Sequence, residues 1–294
     1  MNFSGNIQIM KYKFLLISFL ALIINIATSP LRMYPLGDEY SSVIGFIIFF
    51  FLAFYLCRKF DGRIAEWQIL LLLILGQWSL ELPFRIKDFM PTLGTLPDSL
   101  FRTLGMVCGC LSFRLKHPLR FAPFVFGCVL TGYMFFQGYE LWANKLFFGT
   151  FTGRVEAYSL PVKFEAFDEK KNLITDEHLN GKIVLLDFWF TRCGACFEAF
   201  PQVQAAYEKF KNDPSVSVLS VDKPIDGDSP GQAFAMIRDE GHTFPVVVAA
   251  DENLPENLGV KAYPTVLVID RQGKIVYRGD IEGAVAMVDE LRSR

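Results

Sequence analysis

The sequence predicts an α-helical membrane domain with several spans, followed by an α/β domain whose mixed central sheet carries helices on both faces. Residues before about 150 are rich in Phe, Leu and Ile, whereas the second half has Lys, Asp and Glu throughout. After residue 160, strand and helix patterns alternate, which is typical of α/β folds. We therefore place the membrane domain at residues 1–150 and the α/β domain at residues 160–294, since 294 residues accommodate about two domains.

Composition agrees with a chain that is partly embedded in lipid. Hydrophobic residues make up 52% and charged residues 20%, against about 25% charged in soluble chains. The net charge is −2, so we do not expect a nucleic-acid partner. His117, His178 and His242 lie far apart and share no ligand spacing, so we predict no metal site, and we expect no cofactor.

The first half contains five hydrophobic segments that we interpret as membrane helices. A spanning helix needs about 17–25 mostly apolar residues. The fifth segment meets this length and the second nearly does, whereas the third and fourth are short and contain Gln or Arg. A buried or interfacial helix is the alternative for these weaker segments. The five segments are Tyr12–Thr28, Ser42–Cys57, Trp67–Leu82, Leu100–Phe113 and Phe121–Leu141.

The distribution of basic residues predicts the orientation in the membrane. Cytoplasmic loops carry an excess of Lys and Arg. The N-terminal stretch and two alternate loops hold eight of them, whereas the loops at 29–41 and 83–99 hold only Arg32, Arg85 and Lys87. The N-terminus is then inside, and five crossings place the C-terminal domain on the outer, periplasmic face of the cytoplasmic membrane. The eight residues are Lys11, Lys13, Arg58, Lys59, Arg63, Arg114, Lys116 and Arg120.

The first segment also fits a signal peptide, because it follows two lysines and ends in small residues at 27–29. Since no good A-x-A cleavage site is present, we favour an uncleaved helix. Cleavage would leave four spans and would not move the C-terminal domain.

Four cysteines lie in the first half, at Cys57, Cys108, Cys110 and Cys128. Buried cysteine behaves as a small hydrophobic residue, which is the interpretation that we favour for all four. Cys108 and Cys110 are two apart, so on one helix they point to nearly opposite faces. The alternative is that two of these thiols relay electrons across the bilayer.

The second half begins with a linker at 149–159 and continues with a hairpin at 160–180 that turns at 168–172. A continuous apolar run at 183–190 is typical of a buried strand. We predict the remaining elements as strands at 216–221, 244–248, 265–270 and 274–278, and as helices at 194–211, 230–240, 254–258 and 284–292.

Cys193 and Cys196 form a C-x-x-C motif between the buried strand and a helix. Backbone N–H groups and the helix dipole favour a thiolate at a helix N-terminus, and cysteines in such sites have pKa values of about 3.5–7.5. A zinc site needs two more ligands, and the second half offers only His178 and His242. A structural disulfide that closes so short a loop stabilises little. The motif therefore predicts a redox-active dithiol.

The run from Asp187 to Cys196, with Pro201 after it, resembles thioredoxins. The later run at 260–265, with Ile269-Asp270 and Gly273-Lys274-Ile275, resembles the TlpA/ResA-like branch of bacterial envelope reductases. The resemblance covers residues 160–294. It implies a thioredoxin-like fold, thiol–disulfide oxidoreductase activity on protein disulfides or dithiols, and an envelope or membrane electron donor that the sequence does not name.

The resemblance also implies roles for the two cysteines. Cys193 is the attacking thiolate, and Cys196 resolves the mixed disulfide. Asp187 matches the buried acid that moves the proton of Cys196. Its position in an otherwise apolar strand supports this role, because burying a charged group costs free energy unless the group is paired or functional.

Three further residues match the substrate-binding surface of the family. Pro264 matches the cis-proline that faces the disulfide, and the backbone of Tyr263 pairs with the bound substrate strand. Trp189 is placed with them as a substrate-binding residue.

Two departures from the family pattern lie beside the cysteines. Arg192 replaces the usual Trp, and its charge favours the Cys193 thiolate further. Ala195 replaces a frequent Pro. Net reduction, rather than oxidation or isomerisation, is implied by analogy with the branch.

Two other functions stay open. A peroxiredoxin-like thiol peroxidase shares the fold and has Thr two residues before the cysteine, as Thr191 is here, but the required Pro is missing. The other is a non-catalytic membrane protein whose redox domain senses or binds clients.

Overall fold

The computed structural model describes residues 3–32 and 37–294, with side chains described from Tyr12 onward. The chain divides into two compact units, Met1–Trp142 and Ala143–Arg294.

The N-terminal unit consists of helices, the last of which continues into the second unit. They are α1 (Phe3–Thr28), α2 (Gly37–Lys59), α3 (Glu66–Lys87), α4 (Phe89–Thr92), α5 (Leu96–Arg114), α6 (Ala122–Tyr133) and α7 (Tyr139–Phe148), with a π-helical turn at Met134–Gly138 joining α6 to α7. Within the described residues, four helical segments are long and apolar enough to cross a membrane: Tyr12–Arg32, Gly37–Lys59, Glu66–Lys87 and Leu119–Phe148.

The fourth predicted span corresponds to α5, which is not among those four segments. This helix has 19 residues, but it carries charges that lower its hydropathy. Asp98 and Arg102 are both fully buried and paired with each other, Oδ2 to Nε at 2.9 Å. Because these charges face the interior of the unit, mean hydropathy alone underestimates how apolar the outer surface of this helix is. Five crossings therefore stay a prediction.

Hydrogen bonds fix the relative direction of α1 and α3. Ser18 Oγ donates to the carbonyl of Leu72 at 2.9 Å, and Asn25 Nδ2 donates to that of Gln77 at 3.1 Å. Positions later in α1 thus meet positions later in α3, so the two helices are parallel.

Two glycines bring α2 and α5 into backbone contact, also in parallel. A Cβ at Gly105 would lie 2.4 Å from the carbonyl oxygen of Phe46, and one at Gly109 would lie 2.4 Å from that of Phe50. Small residues four apart allow this close approach of membrane helices. Any larger side chain would force the two helices apart.

The α6–α7 helix runs antiparallel to α2. The rings of Phe50 and Phe124 are 4.7 Å apart near the start of α6, whereas Ser42, earlier in α2, contacts the hydroxyl of Tyr139 at 2.5 Å. Arg102, near the start of α5, donates to Thr28 Oγ1 at the end of α1, so α1 and α5 run in opposite directions. Taken in chain order, α1, α2, α3, α5 and α6–α7 therefore alternate in direction.

A charged cluster lies where α1 and α3 end and α2 and α5 begin. Asp98 accepts hydrogen bonds from Arg32 Nε at 2.6 Å and Arg102 Nε at 2.9 Å. Arg32 also pairs with Glu81 at 2.7 Å, and Arg102 donates to Ser41 at 2.7 Å. Buried charges are tolerated when they are paired in this way.

The C-terminal unit is built on one mixed sheet of eight strands in the order β1-β8-β7-β4-β5-β6-β2-β3. Strands β4, β5 and β6 are parallel, and the other neighbours are antiparallel. The strands are β1 (Arg154–Ser159), β2 (Glu165–Phe167), β3 (Leu173–Thr175), β4 (Ile183–Trp189), β5 (Val216–Asp222), β6 (Val246–Ala249), β7 (Thr265–Ile269) and β8 (Lys274–Gly279).

Helices cover both faces of this sheet, which agrees with the predicted α/β class. The long helices α9 (Gly194–Phe210) and α12 (Ile281–Ser293) pack on one face together with α10 (Gln232–Asp239). Short helices α8 (Asp176–Leu179) and α11 (Leu254–Asn257) cover the other face. Residues alternate along each strand, so Asp187 and Trp189 lie on the α9 face.

The predicted strands and helices of this unit are found with small shifts at their ends, and the predicted hairpin is β2 and β3. The interpretation of residues 149–159 as a linker is wrong over its second half. Strand β1 pairs antiparallel with β8, with Arg154 opposite Tyr277. Because β1 lies at the sheet edge and is mostly exposed, it lacks the apolar alternation by which strands are predicted. The sheet thus begins before residue 160.

Candidate functional site

Cys193 and Cys196 are joined in a disulfide with Sγ atoms 1.98 Å apart. Both side chains are buried, with Cys193 6% and Cys196 1% exposed. The intervening Gly194 and Ala195 are exposed, so the motif reaches the surface between two buried sulfur atoms. The structure therefore brings the two predicted cysteines together.

Cys193 is the residue that caps the N-terminus of α9. The backbone N–H of Cys196 donates to Cys193 Sγ at 3.2 Å. A free N–H at a helix N-terminus stabilises negative charge, and the helix dipole adds to the effect. When the disulfide is opened, the same geometry stabilises a thiolate on Cys193.

Asp187 lies on β4, on the sheet face that α9 covers. It is 1% exposed, and Ser220 Oγ on the neighbouring strand β5 donates to its Oδ2 at 3.0 Å. Burial raises the pKa of Asp187 to about 7, and the hydrogen bond from Ser220 opposes this shift only in part. Asp187 therefore exchanges a proton near neutral pH.

A cavity of about 400 Å³ joins this carboxyl to the region of the cysteines and the proline loop. Asp187, Ala195, Ala199, Tyr263, Pro264 and Val266 are among the residues that line it. The lining is mostly apolar, with Asp187 at one wall and a residue of the C-x-x-C motif at another. The cavity thus offers a route for a proton or an extended chain between these groups.

The bond between Tyr263 and Pro264 is cis, which confirms the isomer that the family resemblance implies for Pro264. The ring of Tyr263 packs edge-on against Phe190 at 5.3 Å, and its hydroxyl contacts Glu256 Oε1 at 3.0 Å. Both Tyr263 and Pro264 are partly exposed, so their surface is open to a ligand.

Trp189 differs from its predicted role. Its side chain is fully buried, with its ring 5.1 Å from Phe200 and 6.2 Å from Phe197. A side chain at this depth packs beneath the disulfide and does not contact a substrate. The apolar run in which Trp189 lies already predicted this burial.

The loop after β5 is held against the cysteine loop. Thr191 Oγ1 donates to Asp228 Oδ1 at 2.6 Å, and Arg192 donates to the backbone carbonyl of Asp226. Arg192 is exposed, so its charge next to Cys193 is screened by solvent. These contacts hold the loop after β5 next to Thr191 and Arg192, the two residues that precede Cys193.

Sequence reasoning missed Ser220 and Asp222, two buried polar residues of β5. Asp222 is paired in register with Trp189 and is 3% exposed, and its Oδ1 has no hydrogen-bond partner in the described structure. Burial, and then the charge of Asp228, raises the pKa of Asp222 to about 7. The sequence contains a signal for these residues. Ser220 and Asp222 are polar residues two positions apart in a mostly apolar strand, and Asp187 is likewise a polar residue within the apolar strand β4.

Comparisons with known proteins concern the C-terminal unit. The Redoxin family model matches residues 156–287. The thiol-disulfide oxidoreductase ResA of Bacillus subtilis is 33% identical over 33% of this chain and 52% of its own length. ResA of Bacillus thuringiensis strain Al Hakam is 30% identical over 38% of this chain and 63% of its own length. This chain thus spans about half to two thirds of the length of these relatives.

Among solved structures, a putative thioredoxin from Neisseria meningitidis is 25% identical, with a TM-score of 0.41, over 47% of this chain and 93% of that one.

The sheet order, the cis-proline and the cysteine pair at the start of α9 agree with these sequence matches. The Redoxin match and the similarity to the ResA proteins thus support a TlpA/ResA-like protein of the thioredoxin superfamily.

Proposed function

We propose that this chain is a membrane-anchored thiol–disulfide oxidoreductase that reduces protein disulfides outside the cytoplasm. The observation that carries the proposal is Cys193 at the N-terminus of α9, disulfide-bonded to Cys196 and accepting its N–H. This geometry supports a nucleophilic thiolate with a second thiol within reach. The ResA proteins to which the domain is similar are named for this activity.

The reaction proceeds by two exchanges. The Cys193 thiolate attacks a substrate disulfide, forms a mixed disulfide and releases one substrate thiolate. Cys196 then loses its proton and attacks Cys193 Sγ, which releases the second substrate thiol and forms the Cys193–Cys196 disulfide. Two electrons pass to the substrate, and an electron donor of the dithiol class must reduce the disulfide again.

Asp187 is the base that accepts the proton of Cys196 in the second exchange. A base is most effective when its pKa lies near the working pH. Burial raises the pKa of Asp187 to about 7, and the cavity that it lines also reaches Ala195, next to Cys196 in sequence. The protonated Asp187 then releases this proton through the cavity.

The substrate strand lies along Tyr263 and Pro264. Both residues are partly exposed and line the same cavity as Asp187. Proline donates no N–H, so the backbone groups of Tyr263 are those that pair with an extended substrate. We do not include Trp189 in this surface, because it is fully buried.

The N-terminal residues 1–150 form a polytopic anchor in the cytoplasmic, inner membrane. The alternating directions of α1, α2, α3, α5 and α6–α7 support five crossings, in which α5 lies against α2. Arg58, Lys59 and Arg114 lie at the C-terminal ends of α2 and α5, which supports a cytoplasmic location for those ends. The redox domain, residues 160–294 with β1 before them, is then on the outer, periplasmic face.

A peroxidase is less well supported. That interpretation uses a Thr hydroxyl beside the attacking cysteine, but Thr191 Oγ1 is bound to Asp228 at 2.6 Å. A non-catalytic client-binding protein would need no buried proton acceptor, and the raised pKa of Asp187, which lines the same cavity as Ala195, therefore supports the catalytic interpretation.

The test compares two cysteine variants of the full-length protein in detergent. With dithiothreitol as the reductant and insulin as the substrate, Cys193→Ser should lose turnover to background. Cys196→Ser should make one attack and then accumulate mixed disulfides with the substrate. Turnover by Cys193→Ser, or trapping by that variant instead of Cys196→Ser, would contradict the proposal.

A further inference from the structure

A second pair of cysteines lies inside the N-terminal unit. Cys57 Sγ on α2 is 3.4 Å from Cys110 Sγ on α5. The two residues are 53 positions apart in sequence, so packing of the two helices alone brings them together. A cysteine that only fills space needs no sulfur neighbour, and in the described chain Cys108 and Cys128 share another apolar cluster without such a contact.

The helix contact that holds this pair is unusually close. Gly105 and Gly109 let the backbone of α5 touch that of α2, at Phe46 and Phe50. Cys110 follows Gly109 directly, so it lies where the two backbones are in contact. Because a disulfide has Sγ atoms about 2.05 Å apart, the sulfur atoms need to approach by only about 1.4 Å to bond.

The pair lies near the C-terminal ends of α2 and α5. Cys57 is two residues before the end of α2 at Lys59, and Cys110 is four before the end of α5 at Arg114. Cys57 is 1% exposed and Cys110 is 6% exposed. Cys110 is thus the more exposed of the two residues.

We propose that Cys57 and Cys110 are a second redox-active dithiol, distinct from the C-x-x-C pair, that reduces small disulfide compounds. Cys110 attacks a disulfide R–S–S–R as the thiolate and forms a mixed disulfide, with release of RS⁻. Cys57 loses its proton and attacks Cys110 Sγ, which releases the second RS⁻ and forms the Cys57–Cys110 disulfide. The pair loses two electrons and two protons, and R–S–S–R gains the two electrons and becomes two thiols.

The test uses the full-length chain in detergent with Cys108, Cys128, Cys193 and Cys196 changed to Ser, so that its outcome is independent of the C-x-x-C pair. The reduced variant is mixed with an aromatic disulfide whose thiolate is coloured. We expect two aromatic thiolates released per chain, and a peptide that links Cys57 to Cys110. The further change Cys57→Ser should release one thiolate and leave the mixed disulfide on Cys110.

A matched variant that keeps only Cys108 and Cys128 should not form a linked peptide. Peptide mapping of the oxidised wild-type chain provides the same readout without the multiple substitution. Release of one thiolate or none by the Cys57/Cys110 variant, or absence of the linkage from both proteins, would overturn the proposal.

Discussion

Ser220 on β5 donates a hydrogen bond to Asp187 on β4, Oγ to Oδ2 at 3.0 Å, and the two residues are directly paired in the sheet. Of the influences on the pKa of Asp187, burial is the largest and raises it, whereas the Ser220 bond lowers it. The balance sets this pKa at about 7. Ser220 is thus a positioning residue that adjusts the pH range in which Asp187 accepts a proton.

Ser220→Ala should raise the pKa of Asp187 further. Asp187 must be ionised to act as a base, so the rate of the resolving step should rise with pH at a higher midpoint. A hydrogen bond of about 0.5–1.5 kcal/mol corresponds to a shift of about 0.4–1.1 pH units. Single-turnover reduction of a model disulfide from pH 5 to 9 measures the midpoint. Ser217→Ala, on the same strand opposite Val184, is the control, and an unchanged midpoint in Ser220→Ala would refute the coupling.

Asp187→Asn should slow the resolving step on the order of 10²-fold at neutral pH, because an amide accepts no proton. The matched control is Asp222→Asn. Asp222 is a buried carboxyl of the same sheet face whose pKa is also raised to about 7, but it is not among the residues that line the cavity. Equal slowing by both variants would indicate a general effect of burial and remove Asp187 from the mechanism.

Asp187→Asn should also change how the free energy of unfolding depends on pH. Between about pH 4 and 7, the folded state keeps the proton of Asp187 that the unfolded state has already lost. The free energy of unfolding therefore falls as the pH rises through this window and is constant above it. Asp187→Asn should remove the contribution of Asp187 to this slope, with that of Asp222 remaining, and gain at most about 4 kcal/mol at pH 8, the equivalent of a pKa raised from 3.8 to about 7. Thermal melts of the full-length protein at pH 4 and 8 measure the difference, and a steeper slope in the variant would contradict the raised pKa.

The sequence predicted most of the C-terminal domain because its strands and helices have strong local patterns. The run at 183–190 and the hairpin at 165–175 are examples. Strand β1 was missed because an exposed edge strand has little apolar pattern. The pairing of Cys57 with Cys110 was not predictable, since it depends on which face of α2 meets α5. Whether α5 crosses the membrane was hard to predict from the sequence. Its charged residues lower the mean hydropathy of the helix, although Asp98 and Arg102 are buried and paired with each other.

The orientation of the chain is testable with a reporter enzyme that is active only outside the cytoplasm. Fusion after Arg294 should give an active reporter, because five crossings that start from a cytoplasmic N-terminus end outside the cytoplasm. Fusion after Arg63, in the basic loop between α2 and α3, should give an inactive one. Inactivity after Arg294 would show that one of the helices, most directly α5, does not cross, whereas activity after Arg63 would contradict the crossings predicted for α1 and α2.

Close contact of α2 with α5 predicts that Gly109 tolerates no side chain. A Cβ there would lie 2.4 Å from the carbonyl oxygen of Phe50 and 2.9 Å from Cβ of Ala53, and backbone atoms do not move aside cheaply. Gly109→Ala should therefore lower the melting temperature of the full-length protein in detergent, because the helices must separate. Gly132→Ala is the matched control, since a Cβ at Gly132 in α6 meets nothing within 4 Å. Alanine favours a helix over glycine by about 1 kcal/mol, so this control should be neutral or stabilising. A Gly109→Ala protein as stable as Gly132→Ala would show that the two helices do not touch at this position.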